Sequence, residues 1–373
     1  MRETLLKAID FATKTGSFSV INACANAKNV CVFGTGRFFE EAFDQWKFKE
    51  NLGVNVLCDN NAGKWGKTIK GLPCISPDDL SKLDNVIVIP LIGNKTHLIK
   101  QLQELNIRYV SPDLYALECI AKTPQGIEWF ASNKILNVYD MLADDESKRV
   151  YASIICNRIA FGQYLYNDIY SDGEYFSGFF EFSDDEVFVD CGAYNGDTIL
   201  RFLNIPSPSN IRKFKEIHAF EVNSHNFKEL EKIVANIKEK NNVTIYCHHA
   251  GVWDKPGSLS FSKEKNGSLQ SISVNKNGGI FISETVPVVR IDDVVNDATF
   301  IKMDIEGAEL NALKGAENTI KSKAPKLAVC IYHQLNDFWE IPIYLKTIMP
   351  DYEFFVRHHT TDYAGTVLYA RKK

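Results

Sequence analysis

The stretch Val187-Phe188-Val189-Asp190-Cys191-Gly192-Ala193-Tyr194-Asn195-Gly196-Asp197-Thr198 constrains this chain more than any other. Its apolar run suits a strand buried inside a parallel sheet, and Gly192 and Gly196 let the backbone turn tightly before a helix over residues 198–203. A strand, glycine turn and helix in this order make a cradle for a cofactor. Residues 29–37 (Asn-Val-Cys-Val-Phe-Gly-Thr-Gly-Arg) repeat the pattern, followed by apolar strands at 54–59 and 86–91 and a helical stretch over 96–105. Strands alternating with helices predict two α/β units, each with a doubly wound parallel sheet.

Charge separates the cofactors such a cradle can hold. A dinucleotide lays its pyrophosphate on the helix N-terminus, where Asp190 at the strand end and Asp197 in the first helical turn would repel it. S-adenosylmethionine brings an ammonium and a sulfonium, which carboxylates suit, and the glycine amides can receive its carboxylate. Residues 217–221 (Ile-His-Ala-Phe-Glu) read as the next strand, closing in Glu221, which can accept both ribose hydroxyls. That feature serves NAD equally well. Asp190 and Asp197 therefore carry the distinction.

These residues resemble a known family. Val-Asp-Cys-Gly-Ala-Tyr-Asn-Gly-Asp-Thr at 189–198, Ala-Phe-Glu at 219–221, Val-Pro-Val-Val-Arg-Ile-Asp-Asp-Val at 286–294 and Ile-Lys-Met-Asp-Ile-Glu-Gly-Ala-Glu at 301–309 are similar to the FkbM family of S-adenosylmethionine-dependent O-methyltransferases. So are Leu-Lys-Gly-Ala at 313–316 and the tail from Ile331-Tyr332-His333 through Trp339-Glu340-Ile341-Pro342 to Arg357-His358-His359. The resemblance covers roughly the C-terminal half, in order. It implies two Rossmann-like units, the second a class I methyltransferase fold with a terminal antiparallel hairpin. The expected division is an N-terminal module at 1–118, a helical connector at 119–185 and a methyltransferase domain at 186–373. Asp190, Gly192, Ala193, Asn195, Gly196, Asp197, Thr198 and Glu221 are then expected to hold the cofactor, with Ala250 and Val252 lining the adenine. The implied acceptor is a small molecule or carbohydrate, such as a sugar hydroxyl of a surface polysaccharide or glycoconjugate precursor.

Composition bounds the setting. The 373 residues allow two sizeable cores, and 45% apolar with 24% charged is ordinary for a globular protein. A formal charge of −5 gives no general attraction to nucleic acid. Nine cysteines, odd in number and without a Cys-x-x-Cys pair, argue against a disulfide framework or a structural zinc and for a reducing cytoplasm. The charged start at residues 1–10 lacks a signal core, and the longest apolar run, 86–92, is too short to span a bilayer. A homo-oligomer is compatible with all of this.

The acceptor side falls to the later strands. Residues 300–303 deliver Asp304 to a strand's carboxyl end, beside Asp190 in the usual sheet order, and Gly307 opens a helix over 308–320. Asp304 is expected to orient the acceptor hydroxyl. A strand at 326–332 places His333 on the same edge, where a neutral imidazole can act as general base, worth about 10²–10⁴-fold. Glu309 reads as an acid stabilising a helix dipole. No metal is assigned: a divalent ion on Asp304, Glu306 and His333 suits the ligand types, but ligand types alone do not fix a site, and His358 and His359 point to opposite faces of a strand. Either Tyr175 or Phe176 could roof the cofactor, with core packing favoured for both. A polar, glycine-rich loop at 263–279 could cover the pocket mouth.

Two rival functions remain on the sequence. Gly34-Thr35-Gly36 and Asp59 could hold a nucleotide or nucleotide-sugar, as in a nicotinamide-dependent sugar-nucleotide oxidoreductase, although no Tyr-x-x-x-Lys follows in a helical context. A non-catalytic nucleotide-binding scaffold is the other.

Overall fold

A computed structural model describes the chain apart from residues 16–22, 45–46, 93–95, 111–132, 160–165, 206–213, 241–242, 263–282, 335 and 362–363. The loop expected over the pocket mouth at 263–279 thus lies outside the described residues. The chain forms two compact units: residues 1–133, 148–170 and 360–363 make the first, and 134–147, 171–359 and 364–373 the second. The stretch read as a connector at 119–185 is therefore divided, with 134–147 and 171–185 built into the second unit.

In the first unit, β1 (Asn29–Phe33), β2 (Val56–Cys58), β3 (Thr68–Ile69), β4 (Leu72–Ile75) and β5 (Val86–Pro90) form one sheet in the order β3-β4-β2-β1-β5. β2 and β5 flank β1 in parallel. The apolar runs are buried throughout, as parallel strands covered on both faces must be. Gly34 leaves β1 at φ 106°, where an added Cβ would lie 2.4 Å from the Ile92 side chain and 3.0 Å from the Leu91 carbonyl oxygen. Packing against its neighbouring strand end is reason enough for that glycine.

The second unit is built on seven strands: β6 (Val187–Cys191), β7 (Glu216–Phe220), β8 (Ile245–His248), β12 (Phe300–Met303), β13 (Lys326–Cys330), β14 (Tyr352–His358) and β15 (Thr366–Lys372). Their order is β14-β15-β13-β12-β6-β7-β8, with β15 antiparallel to both its neighbours. The chain reverses outward from the first strand, so β6 and β12 lie side by side with their carboxyl ends at one edge. β9 (Gly251–Val252), β10 (Gly257–Ser262) and β11 (Ser283–Val289) form a separate small sheet. Helix Ser224–Lys240 is capped by the Asn223 side chain, which accepts from the backbone N–H of His225 and Asn226. It buries Leu230, Val234 and Ile237 in the core. There Phe188 and Phe300, adjacent in register, stack with ring centroids 4.8 Å apart, and Phe176 meets both edge-on or tilted. Each buried phenylalanine contributes on the order of 2 kcal/mol.

The single helix expected over 308–320 is two, Glu309–Gly315 and Glu317–Lys323. Gly315 packs so closely that a Cβ there would lie 2.0 Å from the Trp253 carbonyl oxygen. The Asp292 carboxylate starts the second helix afresh by accepting from the N–H groups of Asn318 and Thr319.

Gly192 is held as tightly as Gly315, and at a positive φ besides. At φ 84°, an added Cβ would lie 2.0 Å from the Asp304 carbonyl oxygen, so Gly192→Ala should cost about 2–4 kcal/mol. Gly178, with nothing within 4 Å of its Cβ position, should tolerate alanine within about 0.5 kcal/mol. Urea unfolding of the two variants checks this, and equal losses would refute the packing argument.

Candidate active site

Five parallel strands, β13, β12, β6, β7 and β8, end at one edge of the seven-stranded sheet, and the backbone there is tied into a single platform. The N–H groups of Gly192 and Ala193 both donate to the Phe220 carbonyl, at 3.0 and 2.9 Å, and that of Asp304 donates to Cys191 at 3.0 Å. The turn after β6 thus rests on the ends of β7 and β12.

Glu221 stands behind this turn. Its carboxylate accepts from the backbone N–H of Tyr194 at 2.9 Å and of Asn223 at 2.7 Å. Burial pushes its pKa up to about 7 against these two hydrogen bonds. In front of it, Tyr194 is 55% exposed at φ 48°, and Asn195 and Asp197 also reach solvent. Gly196 is the helix N-cap at φ 90°, backed by Leu230 and Ile233. Ala193, Thr198, Ala250 and Val252 are buried, at 0%, 3%, 8% and 3% exposure. Tyr194, Asn195 and Asp197, in contrast, reach solvent.

Asp190 does not face that edge. It has no exposed surface, and its Oδ1 lies 3.1 Å from Nζ of Lys302, its register partner on β12. Contact with a ligand's ammonium would need an exposed oxygen, so the expected role is corrected: Asp190 neutralises Lys302. Burial opposes the charge on Lys302, but Asp190 and then Asp304 hold its pKa above the ordinary lysine range. The ammonium also donates to the Gly192 carbonyl at 2.8 Å, fixing the glycine turn from below. Sequence reading missed Lys302, and the signal was present: a lysine inside an otherwise apolar strand.

Beyond Lys302 lies a second group of side chains. Asp304, whose side chain is 27% exposed, accepts from the hydroxyls of Tyr175 at 2.8 Å and Tyr332 at 3.1 Å. Burial would raise its pKa, yet Lys302, His333 and the two tyrosines hold it below the usual carboxylate range. Tyr175 is placed at φ 65° by the Tyr369 hydroxyl, which accepts its N–H. Phe176 beside it belongs to the aromatic core. His333 lies 3.4 Å from Asp304 through Nε2 and 2.8 Å from Glu309 through Nδ1, with Glu306 at 3.7 Å. Burial works against its charge, but Glu309, then Asp304 and Glu306, outweigh burial and raise its pKa to about 9. These acidic neighbours favour the protonated form of the ring, which weakens it as a general base while they alone surround it. His358 bonds to Thr366, and His359 lies between the Ser171 carbonyl and the Tyr369 hydroxyl, so neither joins this group.

In the first unit, Asp59 is already engaged. It accepts from the N–H and hydroxyl of Thr35, from the N–H of Asn61 and from Lys64, and its pKa falls to about 2 because these bonds outweigh burial. A carboxylate offered to a ribose would be freer than this.

The seven-stranded sheet, with an antiparallel strand near one side, gives the second unit a mixed α/β fold with methyltransferase-like structural neighbours. Residues 190–360 match the family model described as the Methyltransferase FkbM domain. The chain is similar in fold to the crystal structure of the methyltransferase FkbM from Methylobacillus flagellatus KT, with 23% identity over 99% of this chain and 98% of that one and a TM-score of 0.71. Lesser likenesses, at TM-scores of 0.32 and 0.28, are to an rRNA methylase from Streptococcus thermophilus (12% identity, 51% of this chain, 88% of that one) and a methyltransferase from Streptococcus mutans in complex with SAH (9%, 51% and 90%). No curated protein matches the chain. No described helix is long and apolar enough to cross a membrane.

Lys302→Met should destabilise the domain by about 3–5 kcal/mol, because Asp190 would remain as an uncompensated buried charge. Adding Asp190→Asn should recover part of that loss. Denaturant melts of the single and double variants measure the coupling, and additive losses would show that the pair is not the anchor.

Proposed function

We propose that the protein transfers a methyl group from S-adenosylmethionine to an acceptor hydroxyl, acting on a sugar of a polysaccharide or glycoconjugate precursor. The observation that carries this reading is the shared edge: Glu221 and the exposed turn at 194–197 lie on one side of Lys302, and the Asp304 group on the other. Residues holding a cofactor and residues holding an acceptor would then face each other across one lysine.

The residues present fit the cofactor. Glu221 is the carboxylate for the ribose hydroxyls, Asn195 and Asp197 supply the polar rim for an amino acid end, and Ala250 and Val252 supply the apolar floor. When bound, the cofactor supplies a methyl group already activated by its sulfonium. Asp304 accepts a hydrogen bond from the acceptor hydroxyl and so aims its lone pair. Alignment at roughly 3–3.5 Å supplies much of the rate. As the carbon–sulfur bond breaks and the carbon–oxygen bond forms, the hydroxyl oxygen becomes strongly acidic, and Asp304 can take its proton despite a low pKa. His333, Tyr175 and Tyr332 position that carboxylate. A nicotinamide-dependent reading through Gly34 and Asp59 is less supported, since Asp59 is engaged within its own unit.

Calorimetry with S-adenosylhomocysteine tests the reading, with NAD as the control ligand. Micromolar binding of the first alone is expected, weakening about tenfold from pH 8 to pH 6 as Glu221 takes up a proton near pH 7. Glu221→Gln should bind more weakly and lose most of this pH dependence. Binding of NAD alone would overturn the proposal.

A further inference from the structure

Asp304, Glu309 and His333 come from three places, the end of β12, the start of helix Glu309–Gly315 and the end of β13, yet one ligand-bearing atom from each lies within 4.8 Å of the other two. Hydrogen bonding does not account for this group. Glu309 has no exposed surface: its Oε1 accepts the Ile305 N–H at 2.9 Å, but its Oε2 has no hydrogen-bond partner among the described residues. An orphaned carboxylate oxygen in the interior is costly. His333 Nδ1 lies 2.8 Å from Glu309 Oε1 without the alignment of a hydrogen bond. With Lys302 set against Asp190, three carboxylates, Asp304, Glu306 and Glu309, crowd one imidazole.

We propose that Asp304, Glu309 and His333 form a binding site for a divalent cation of the manganese or magnesium kind, with Glu306 on its open side. An octahedral ion with bonds of about 2.1 Å holds adjacent ligand atoms about 3 Å apart and opposite ones about 4.2 Å apart. An imidazole ligates one ion through one nitrogen, so either the 3.4 Å from Nε2 to Asp304 or the 2.8 Å from Nδ1 to Glu309 suits adjacent positions, and the third ligand atom stays within 4.8 Å. Two carboxylates with one imidazole suit manganese better than calcium, which takes oxygen alone, or structural zinc, which favours thiolate. Tyr175 and Tyr332 orient Asp304 as outer hydrogen-bond partners orient metal ligands. The ion's use, holding and acidifying the acceptor hydroxyl, rests on the proposed methyl transfer; its binding does not.

The test is a titration of chelator-treated protein with manganese, followed by electron paramagnetic resonance of the free ion, with S-adenosylhomocysteine binding measured on the same preparation. One manganese per chain is expected, displaced by excess magnesium or zinc. Glu309→Gln and His333→Gln, each checked for folding by circular dichroism, should weaken binding at least tenfold. Absence of saturable binding to the wild-type protein would overturn the site, as would unchanged affinity in both folded variants. Manganese binding without S-adenosylhomocysteine binding would uphold the site while refuting the methyl-transfer reading.

Discussion

The ion pair between Lys302 and Asp190 is the interaction on which the candidate site depends. It is formed by register alone, since the two residues face each other across β12 and β6, and neither has more than a trace of exposed surface. A buried pair of this kind is seldom a large net source of stability. What it gives is position. The ammonium reaches the Gly192 carbonyl as well as Asp190, so the glycine turn hangs from a charge that the neighbouring strand supplies.

Electrostatics then divides the edge into two regions with different chemistry. Around Glu221, burial and backbone N–H groups compete over one carboxylate, leaving it near the point of ionisation at neutral pH. Around Asp304, Lys302, His333 and two tyrosine hydroxyls hold the carboxylate below the usual range, while acidic neighbours raise the pKa of the ring. A residue's chemistry here is decided by its neighbours more than by its type. The same point explains why Glu309, which looks like an ordinary first-turn acid, is a buried member of the cluster.

Much of this edge was legible in the sequence because parallel strands are written as apolar runs. The segments 187–191, 217–221 and 300–304 announced themselves that way; the last two end in the carboxylates Glu221 and Asp304, and the first carries Asp190 one residue before its end. The helix at Ser224–Lys240 was equally plain from its spacing. The partners were not legible. Asp190 reads as a ligand-facing acid until Lys302 is seen opposite it, and opposition across a sheet is a long-range fact. The break at Ala316 was hidden for the same reason, since it depends on Trp253 and Asp292, distant in the chain. His333 looked like a base because its three acidic neighbours arrive from other turns.

The contact between Gly192 and the Asp304 carbonyl has a consequence for how such an enzyme could change over time. With no room for even a methyl group between the two turns, neither can be lengthened or reshaped without displacing the other. Novelty in what the domain accepts would therefore have to enter elsewhere, through segments outside the seven strands. The tight joint would be inherited as a fixed hinge-pin while the outer connections drift.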